Sequence, residues 1–263
     1  MIPKPYIAQW KDHAPWNSFE QVGQDLVISR VLVEIFSDEF LNENLAFRGG
    51  TALHKLYLNP APRYSEDIDL VQIKSGPIKP IMERLKEVIT FFEEPRNTMV
   101  KGHGAKANYR FTAEHEEIRL RLKLEINCKA HFNVLPWIEY PFEVNNPWFS
   151  GSTKIRTYDV NELLGTKLRA LYQRKKGRDL FDLDYSRLNM ELDMDKIIEC
   201  FKAYMKFSVD HIPTQRQFML NIEEKEQDQH FLTDMDGLIR SGVTYNQQEA
   251  FEWLKNEVII RLK

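Results

Sequence analysis

The sequence predicts an α+β protein, in which a small mixed β-sheet flanked by helices is followed by an all-helical part. Two observations lead to this prediction. Segments with the two-residue periodicity of strands occur only in the first part of the chain, and the remainder has the apolar spacing that is typical of helices. We therefore expect a first domain at residues 1–157, with an N-terminal helix, and a helical domain at residues 158–263.

The first part of the chain alternates between these two periodicities. Apolar residues recur at helical spacing over residues 19–41, and Ser18 is placed to cap that helix. Residues 45–58 predict a short strand, a Gly49-Gly50-Thr51 turn and a helix. The remaining predicted elements are strands at residues 66–73, 107–112 and 118–127, a helix at residues 78–92, and an irregular, proline-rich connection at residues 136–152 followed by a short strand.

Composition excludes several classes of protein. The hydrophobic content of 43% is too high for a disordered chain, and the net charge of −3 disfavours a globally basic nucleic-acid binder while allowing a local basic patch. The two cysteines, Cys128 and Cys200, do not form a disulfide framework, which favours a reducing, cytoplasmic compartment. No apolar stretch is long enough to span a membrane, so we expect no membrane association.

Asp67 and Asp69 are the sharpest chemical feature of the sequence. Because successive side chains of a strand point to opposite faces, both carboxylates are predicted on one face of the strand at residues 66–73. Two clustered carboxylates repel each other, and a divalent cation that prefers oxygen ligands, such as Mg²⁺ or Mn²⁺, removes that cost. The alternative is a polar, solvent-facing strand, which is the more frequent origin of an isolated D-x-D pattern.

The Gly49-Gly50-Thr51 turn gives this motif a context. Glycine lets a backbone approach a phosphate closely, and the N-terminus of a helix attracts anions. The turn is therefore a candidate phosphate-binding segment, although an ordinary tight turn has the same composition.

The strand at residues 118–127 has the most regular alternation in the chain. Its polar face carries Glu125 among basic residues, so that Glu125 is either a third metal-binding carboxylate or a member of a salt-bridged sheet surface. The basic neighbours on that face are Arg119, Arg121 and Lys123, and the apolar face is Ile118, Leu120, Leu122, Leu124 and Ile126.

A second constellation lies in residues 162–183, which predict a helix with Leu164, Leu168 and Leu171 in one apolar stripe. Charged residues fall beside that stripe, where an unpaired buried charge is costly, so they need an anionic partner or an open cleft. The alternative is a solvated basic face, which accounts for Arg169, Lys175 and Lys176 but explains Asp179 and Asp182 poorly. The charged residues beside the stripe are Lys167, Arg174, Arg178 and Asp182, with Asp179 close by.

The order of the segments FRGGTAL, RYSEDIDL, LEI and KLRALYQRKKGRDLFDL resembles the AbiEii/AbiGii toxin family of nucleotidyltransferase-like proteins, over residues 20–185. The resemblance implies the DNA polymerase β-like nucleotidyltransferase fold and transfer of a nucleotide from an NTP to an acceptor hydroxyl, such as a tRNA 3′ end. It also implies the toxin of a toxin–antitoxin or abortive-infection pair, with an antitoxin as a partner.

The resemblance further assigns roles to the residues of these segments. Asp67 and Asp69, with Glu125 as the third carboxylate, would bind the metal ion. The predicted triphosphate contacts are Gly49, Gly50, Thr51, Ser65, Lys167 and Arg178, and the further essential carboxylates are Asp179 and Asp182.

Two other functions remain open at the level of the sequence. The chain could be a nucleotide-binding interaction module without turnover, because a fold does not determine a function. It could also be an enzyme that modifies a protein hydroxyl rather than RNA. The basic residues of the strand at residues 118–127 and of the segment at residues 169–178 could supply an RNA-binding patch.

Overall fold

The computed structural model describes residues 2–92, 97–102, 104–112 and 119–262, and the chain divides into two compact units. Unit 1 comprises Met1–Asn133 and Trp137–Tyr158, and unit 2 comprises Val134–Pro136 and Asp159–Lys263. The predicted mixed sheet with flanking helices is confirmed for unit 1, and the described residues of unit 2 are predominantly helical.

The described part of unit 1 contains one seven-stranded mixed sheet. Its strands are β1 (Leu45–Arg48), β2 (Asp67–Gln72), β3 (Asn97–Lys101), β4 (Gly104–Thr112), β5 (Arg119–Asn127), β6 (Ile138–Asn146) and β7 (Phe149–Thr157). They lie in the order β3-β4-β5-β2-β1-β7-β6. β2 pairs antiparallel with β1 and parallel with β5, so the strand that carries the two aspartates is central.

The helices of unit 1 pack against this sheet. The longest helix, Phe19–Ser37, packs on β5, β6 and β7. It begins where Ser18 accepts a hydrogen bond from the Gln21 N–H (3.2 Å), as predicted. It ends at Ser37, earlier than predicted, because Asp38 caps a new helix by accepting from the Leu41 N–H (2.9 Å). The helices are α1 (Lys4–Trp10), α2 (Phe19–Ser37), α3 (Glu39–Asn44), α4 (Gly49–Ala52), which continues as a π-helical turn (Leu53–Tyr57), and α5 (Lys79–Val88).

The predicted irregular connection at residues 136–152 is wrong. These residues form most of an antiparallel hairpin of β6 and β7, in which Trp148 N–H donates to Asn146 Oδ1 (2.9 Å) at the turn. Pro141 lies within β6, which is an edge strand, and an edge strand tolerates a residue that lacks an N–H donor. β3 was not predicted, and Ile118, predicted at the start of β5, lies outside the described residues.

Unit 2 packs its helices around the predicted apolar stripe, and Leu164, Leu168 and Leu171 are fully buried. Asp159 caps the first helix by accepting from the Asn161 N–H (2.8 Å). Glu162, three residues after Asp159, uses its carboxylate elsewhere. The described helices of unit 2 are α6 (Val160–Gln173), α7 (Gly177–Asn189), α8 (Met194–Val209), α9 (Gln215–Lys225), α10 (Gln229–Leu232) and α11 (Gln247–Trp253), followed by a π-helical turn (Leu254–Val258) and a 3₁₀ turn (Ile259–Arg261).

The Glu162 carboxylate instead ties the short segment 134–136 to unit 2. It accepts from the backbone N–H groups of Val134 (2.9 Å) and Leu135 (2.7 Å) and from the Tyr204 hydroxyl (2.7 Å). Burial raises the pKa of Glu162, and these hydrogen bonds partly offset the effect.

Candidate active site

Asp67 and Asp69 lie on the same face of β2, and this structural prediction is confirmed. Both side chains are partly exposed, whereas Ile68 and Leu70 between and after them are buried. The parallel register pairs Asp67 with Lys123 and Asp69 with Glu125 of β5. The neighbouring strand therefore adds one ammonium and one carboxylate to the same face.

The glycine turn is adjacent to these carboxylates. Gly49 has a φ of +81°, and a Cβ atom there would lie only 2.5 Å from Asp69 Oδ2, so that only glycine allows this approach. Thr51 fixes the other end, because its hydroxyl donates to the Asp67 carbonyl oxygen (2.6 Å) and lies 2.8 Å from the Ser65 hydroxyl. The turn, Ser65 and the start of β2 thus form one hydrogen-bonded unit.

Glu125 is paired with two lysines. Its Oε1 atom lies 2.5 Å from Lys106 Nζ and 2.8 Å from Lys123 Nζ, and Lys123 Nζ is also 3.3 Å from Asp67 Oδ2. Partial burial by itself would raise the pKa of Glu125, but the two ammonium groups lower it. Burial likewise opposes the charge on Lys123, whose pKa is nevertheless raised by Glu125 and Asp67.

This arrangement decides which residues fit a metal ion. The described residues contain no group of three His, Cys, Asp or Glu side chains placed to hold one, so Asp67, Asp69 and Glu125 do not form a preassembled three-carboxylate site. Glu125 faces ammonium groups instead. Asp67 and Asp69 still offer the oxygen donors that suit Mg²⁺, which commonly takes one or two carboxylates and completes its shell with phosphate oxygens and water.

In unit 2, Lys167 has the anionic partners that its position beside the apolar stripe requires. Its side chain is 8% exposed, and its Nζ atom lies 2.7 Å from Asp182 Oδ2 and 3.2 Å from Asp179 Oδ1. Arg174 binds the same Asp179 in bidentate geometry (2.7 and 2.8 Å). Both carboxylates are fully buried, and close pairing with the two cations offsets the cost of burying their charge.

Four of the five basic residues of the predicted patch at residues 169–178 are paired with carboxylates within unit 2. Arg178 binds Asp234 through two guanidinium contacts (2.9 and 3.0 Å) and also through its backbone N–H (3.1 Å). Lys175 pairs with Asp228 at 2.8 Å, and Lys176 pairs with Asp234 at 3.4 Å. Burial would raise the pKa of Asp234, but Arg178 outweighs it and the pKa falls to about 2. These basic side chains are 38–57% exposed, so the segment is a solvated surface on which the basic side chains are paired with carboxylates.

Sequence reasoning missed the partners of the site rather than its carboxylates. Lys123 was predicted on the face of Glu125, with a salt-bridged surface as one alternative, but its contact with Asp67 and the part that Lys106 takes were not predicted. Lys225 was also missed. Its buried ammonium donates to the carbonyl oxygens of Leu171 and Tyr172 at the end of α6. These partners are 54 and 53 positions away, so no local sequence pattern predicts the contact.

A mixed sheet whose central strand presents paired aspartates against a glycine turn is the arrangement expected of a nucleotidyltransferase. A sequence model of the nucleotidyl transferase AbiEii toxin family, described as a type IV toxin–antitoxin system, matches residues 30–257. The chain belongs to this family and is a nucleotidyltransferase toxin. Comparison with curated protein sequences finds no significant match.

Several solved structures share the fold. MenT4, a nucleotidyltransferase toxin from Mycobacterium tuberculosis, is 18% identical with a TM-score of 0.69, over 98% of this chain and 90% of that one. JHP933 from Helicobacter pylori is 19% identical with a TM-score of 0.58, over 90% of each chain. In the part of this chain that the structure describes, no helix has the length and hydropathy needed to cross a bilayer.

Proposed function

We propose that this nucleotidyltransferase toxin is metal-dependent, acts in the cytoplasm, and transfers an NMP from an NTP to a hydroxyl of an RNA acceptor, the 3′ end of a tRNA. The observation that carries the proposal is the placement of Asp67 and Asp69 side by side on β2, against the backbone of Gly49. Membership of a toxin–antitoxin family adds a cognate antitoxin as the expected partner.

In this proposal the chain's residues orient the nucleotide. The backbone of Gly49–Thr51, with Ser65, binds the triphosphate, and Asp67 and Asp69 hold the Mg²⁺ or Mn²⁺. A bound divalent cation would supply charge neutralisation for the phosphate oxygens. The acceptor oxygen bonds to the α-phosphorus while the bond to the bridging oxygen breaks. The electron pair of the broken bond stays on the oxygen that leaves with pyrophosphate, and the proton of the acceptor hydroxyl passes to water.

The residues of unit 2 are assigned by the family resemblance. We assign Lys167 to the triphosphate, with Asp179 and Asp182 as the carboxylates that hold its side chain in place. Arg178 is already paired with Asp234, so a nucleotide would share its guanidinium with that carboxylate. Glu125 would bind the metal ion only after its carboxylate releases the ammonium groups of Lys106 and Lys123.

The open face of the sheet supports an RNA acceptor. Exposed basic side chains alternate there with buried residues, so one face carries a basic surface that adjoins Asp67 and Asp69. Phosphate groups bind such surfaces through salt-dependent electrostatics. The side chains of this face are Lys106, Asn108, Arg110, Arg121 and Lys123; that of Arg119, also predicted here, lies outside the described part.

The test is transfer of label. The purified protein is incubated with each labelled NTP, Mg²⁺, total cellular RNA and total cellular protein, and the labelled product is identified by size and by nuclease or protease digestion. We expect label at the 3′ end of tRNA. The label should disappear with EDTA and in Asp67→Asn, but persist in Asp195→Asn, a carboxylate that is 90% exposed on unit 2. Labelled protein with unlabelled RNA would overturn the acceptor assignment.

A further inference from the structure

The ammonium group of Lys123 occupies the side of Asp67 that faces Glu125. Its Nζ atom lies 3.3 Å from Asp67 Oδ2 and 2.8 Å from Glu125 Oε1, so one lysine bridges two carboxylates on adjacent strands. The bridge follows from the register, because Asp67 is the direct partner of Lys123 in the parallel β2–β5 pair. It is a consequence of backbone pairing rather than of a side chain reaching from a distant loop.

This bridge lies within the group of carboxylates that the proposed function assigns to a metal ion. A Mg²⁺ ion requires carboxylate oxygens at about 2.0–2.1 Å, and a second cation beside the same oxygen repels it. Lysine carries its charge on a flexible four-carbon stem, and the side chain of Lys123 is 30% exposed. The ammonium can therefore leave Asp67, but only when something compensates for its departure.

We propose that Lys123 is an internal counter-ion of the metal site, which weakens the binding of a bare divalent cation and makes metal binding depend on the nucleotide. The inference rests on the proposed function, in which Asp67 and Asp69 hold the metal. A nucleotide triphosphate supplies the negative charge that attracts the displaced ammonium, so the cation and the nucleotide enter favourably together. Because binding free energies are linked reciprocally, removing the lysine should reduce this coupling in both directions.

The size of the effect follows from the charge that is removed. The Lys123 ammonium lies 3.3 Å from Asp67 Oδ2, where it repels a divalent cation bound to the same carboxylate. With water-like screening this repulsion corresponds to roughly a tenfold difference in affinity, so Lys123→Gln should bind Mn²⁺ roughly tenfold more tightly than the wild type when no nucleotide is present. Lys123→Arg keeps the charge and should bind Mn²⁺ as weakly as the wild type.

The experiment is a calorimetric titration of Mn²⁺ into the full chain without nucleotide. The wild type, Lys123→Gln, Lys123→Arg and the control Lys79→Gln, whose side chain is 83% exposed on α5, are compared after thermal melts in EDTA. Tighter binding in Lys123→Gln alone supports the inference, and unchanged or weaker binding overturns it. Lys123→Met gives the same reading should the glutamine variant not fold.

A double variant locates the effect. Lys123→Gln combined with Asp67→Asn should lose the gain in Mn²⁺ affinity, and a gain that persists would place the cation elsewhere and refute the inference. The transfer assay separates the two proposals. Absence of metal-dependent transfer by the wild type would defeat the proposed function. If the wild type transfers nucleotides and Lys123→Gln binds Mn²⁺ with unchanged affinity, only the role of Lys123 is defeated.

Discussion

Replacing Lys167 with methionine should destabilise unit 2 more than any surface charge change. Methionine keeps most of the aliphatic stem but removes the ammonium that lies 2.7 Å from Asp182 and 3.2 Å from Asp179. Both carboxylates are fully buried, so the substitution leaves negative charge in the interior with reduced compensation.

The structure sets the magnitude. Removing one partner of a buried ion pair costs about 3–5 kcal/mol. Asp179 keeps its bidentate contact with Arg174, so the lower end of that range applies and we expect a loss of about 3 kcal/mol in the free energy of unfolding. Lys175→Met is the matched control, because that side chain is 57% exposed beside Asp228 and an exposed ion pair contributes little to stability.

The assay is urea denaturation of both variants and the wild type, followed by circular dichroism at one pH and one salt concentration. The two midpoints should separate clearly, with Lys175→Met close to the wild type. If Lys167→Met lost no more free energy of unfolding than Lys175→Met, the buried cluster would contribute nothing to stability. Lys167 would then act only through its charge toward a ligand.

Three further predictions address the glycine turn, the carboxylates and a buried lysine. Gly49→Ala should lower the rate of nucleotide transfer at least tenfold, by a rough estimate, because the new Cβ displaces the Asp69 carboxylate and a positive φ strains alanine; a wild-type rate would show that this contact is dispensable. Asp69→Asn should abolish transfer while changing the free energy of unfolding by less than about 1 kcal/mol, and full activity in this variant would refute a metal role. Burial lowers the pKa of Lys225 to about 8, so between pH 8 and 10 the unfolded chain binds more protons and the free energy of unfolding rises with pH. Urea melts from pH 7.5 to 9.5 should show a shallower rise in Lys225→Met, and an equal rise in both proteins would contradict this pKa.

Local periodicity was enough to predict β2 and the shared face of its two aspartates. The alternation of residues 66–73 specified which face carries Asp67 and Asp69, and the glycine turn specified where the preceding strand ends. Both signals reside in adjacent residues and need no knowledge of the tertiary fold.

The strands and the site partners that the sequence did not predict were missed for two physical reasons. β3 gives no signal because all five of its residues are exposed, so no apolar alternation is required of it. The β6–β7 hairpin was hidden by prolines, which exclude a central strand but not an edge strand. The partners of the site were hidden because they depend on register: Lys123 meets Asp67 across 56 positions, and Arg178 meets Asp234 across 56.

Lys123 and Lys167 differ in how deeply they are buried. Lys123 and Lys167 each bridge two carboxylates, and each bridge balances charge that would otherwise repel. Lys123 is 30% exposed and its carboxylates are 28–39% exposed, so water stabilises the ammonium when it leaves and exchange for another cation is affordable. Lys167 is 8% exposed between carboxylates that are fully buried, so its departure would leave unsolvated charge. The same pairing chemistry therefore gives an exchangeable counter-ion in the sheet of unit 1 and a fixed one between α6 and α7 of unit 2.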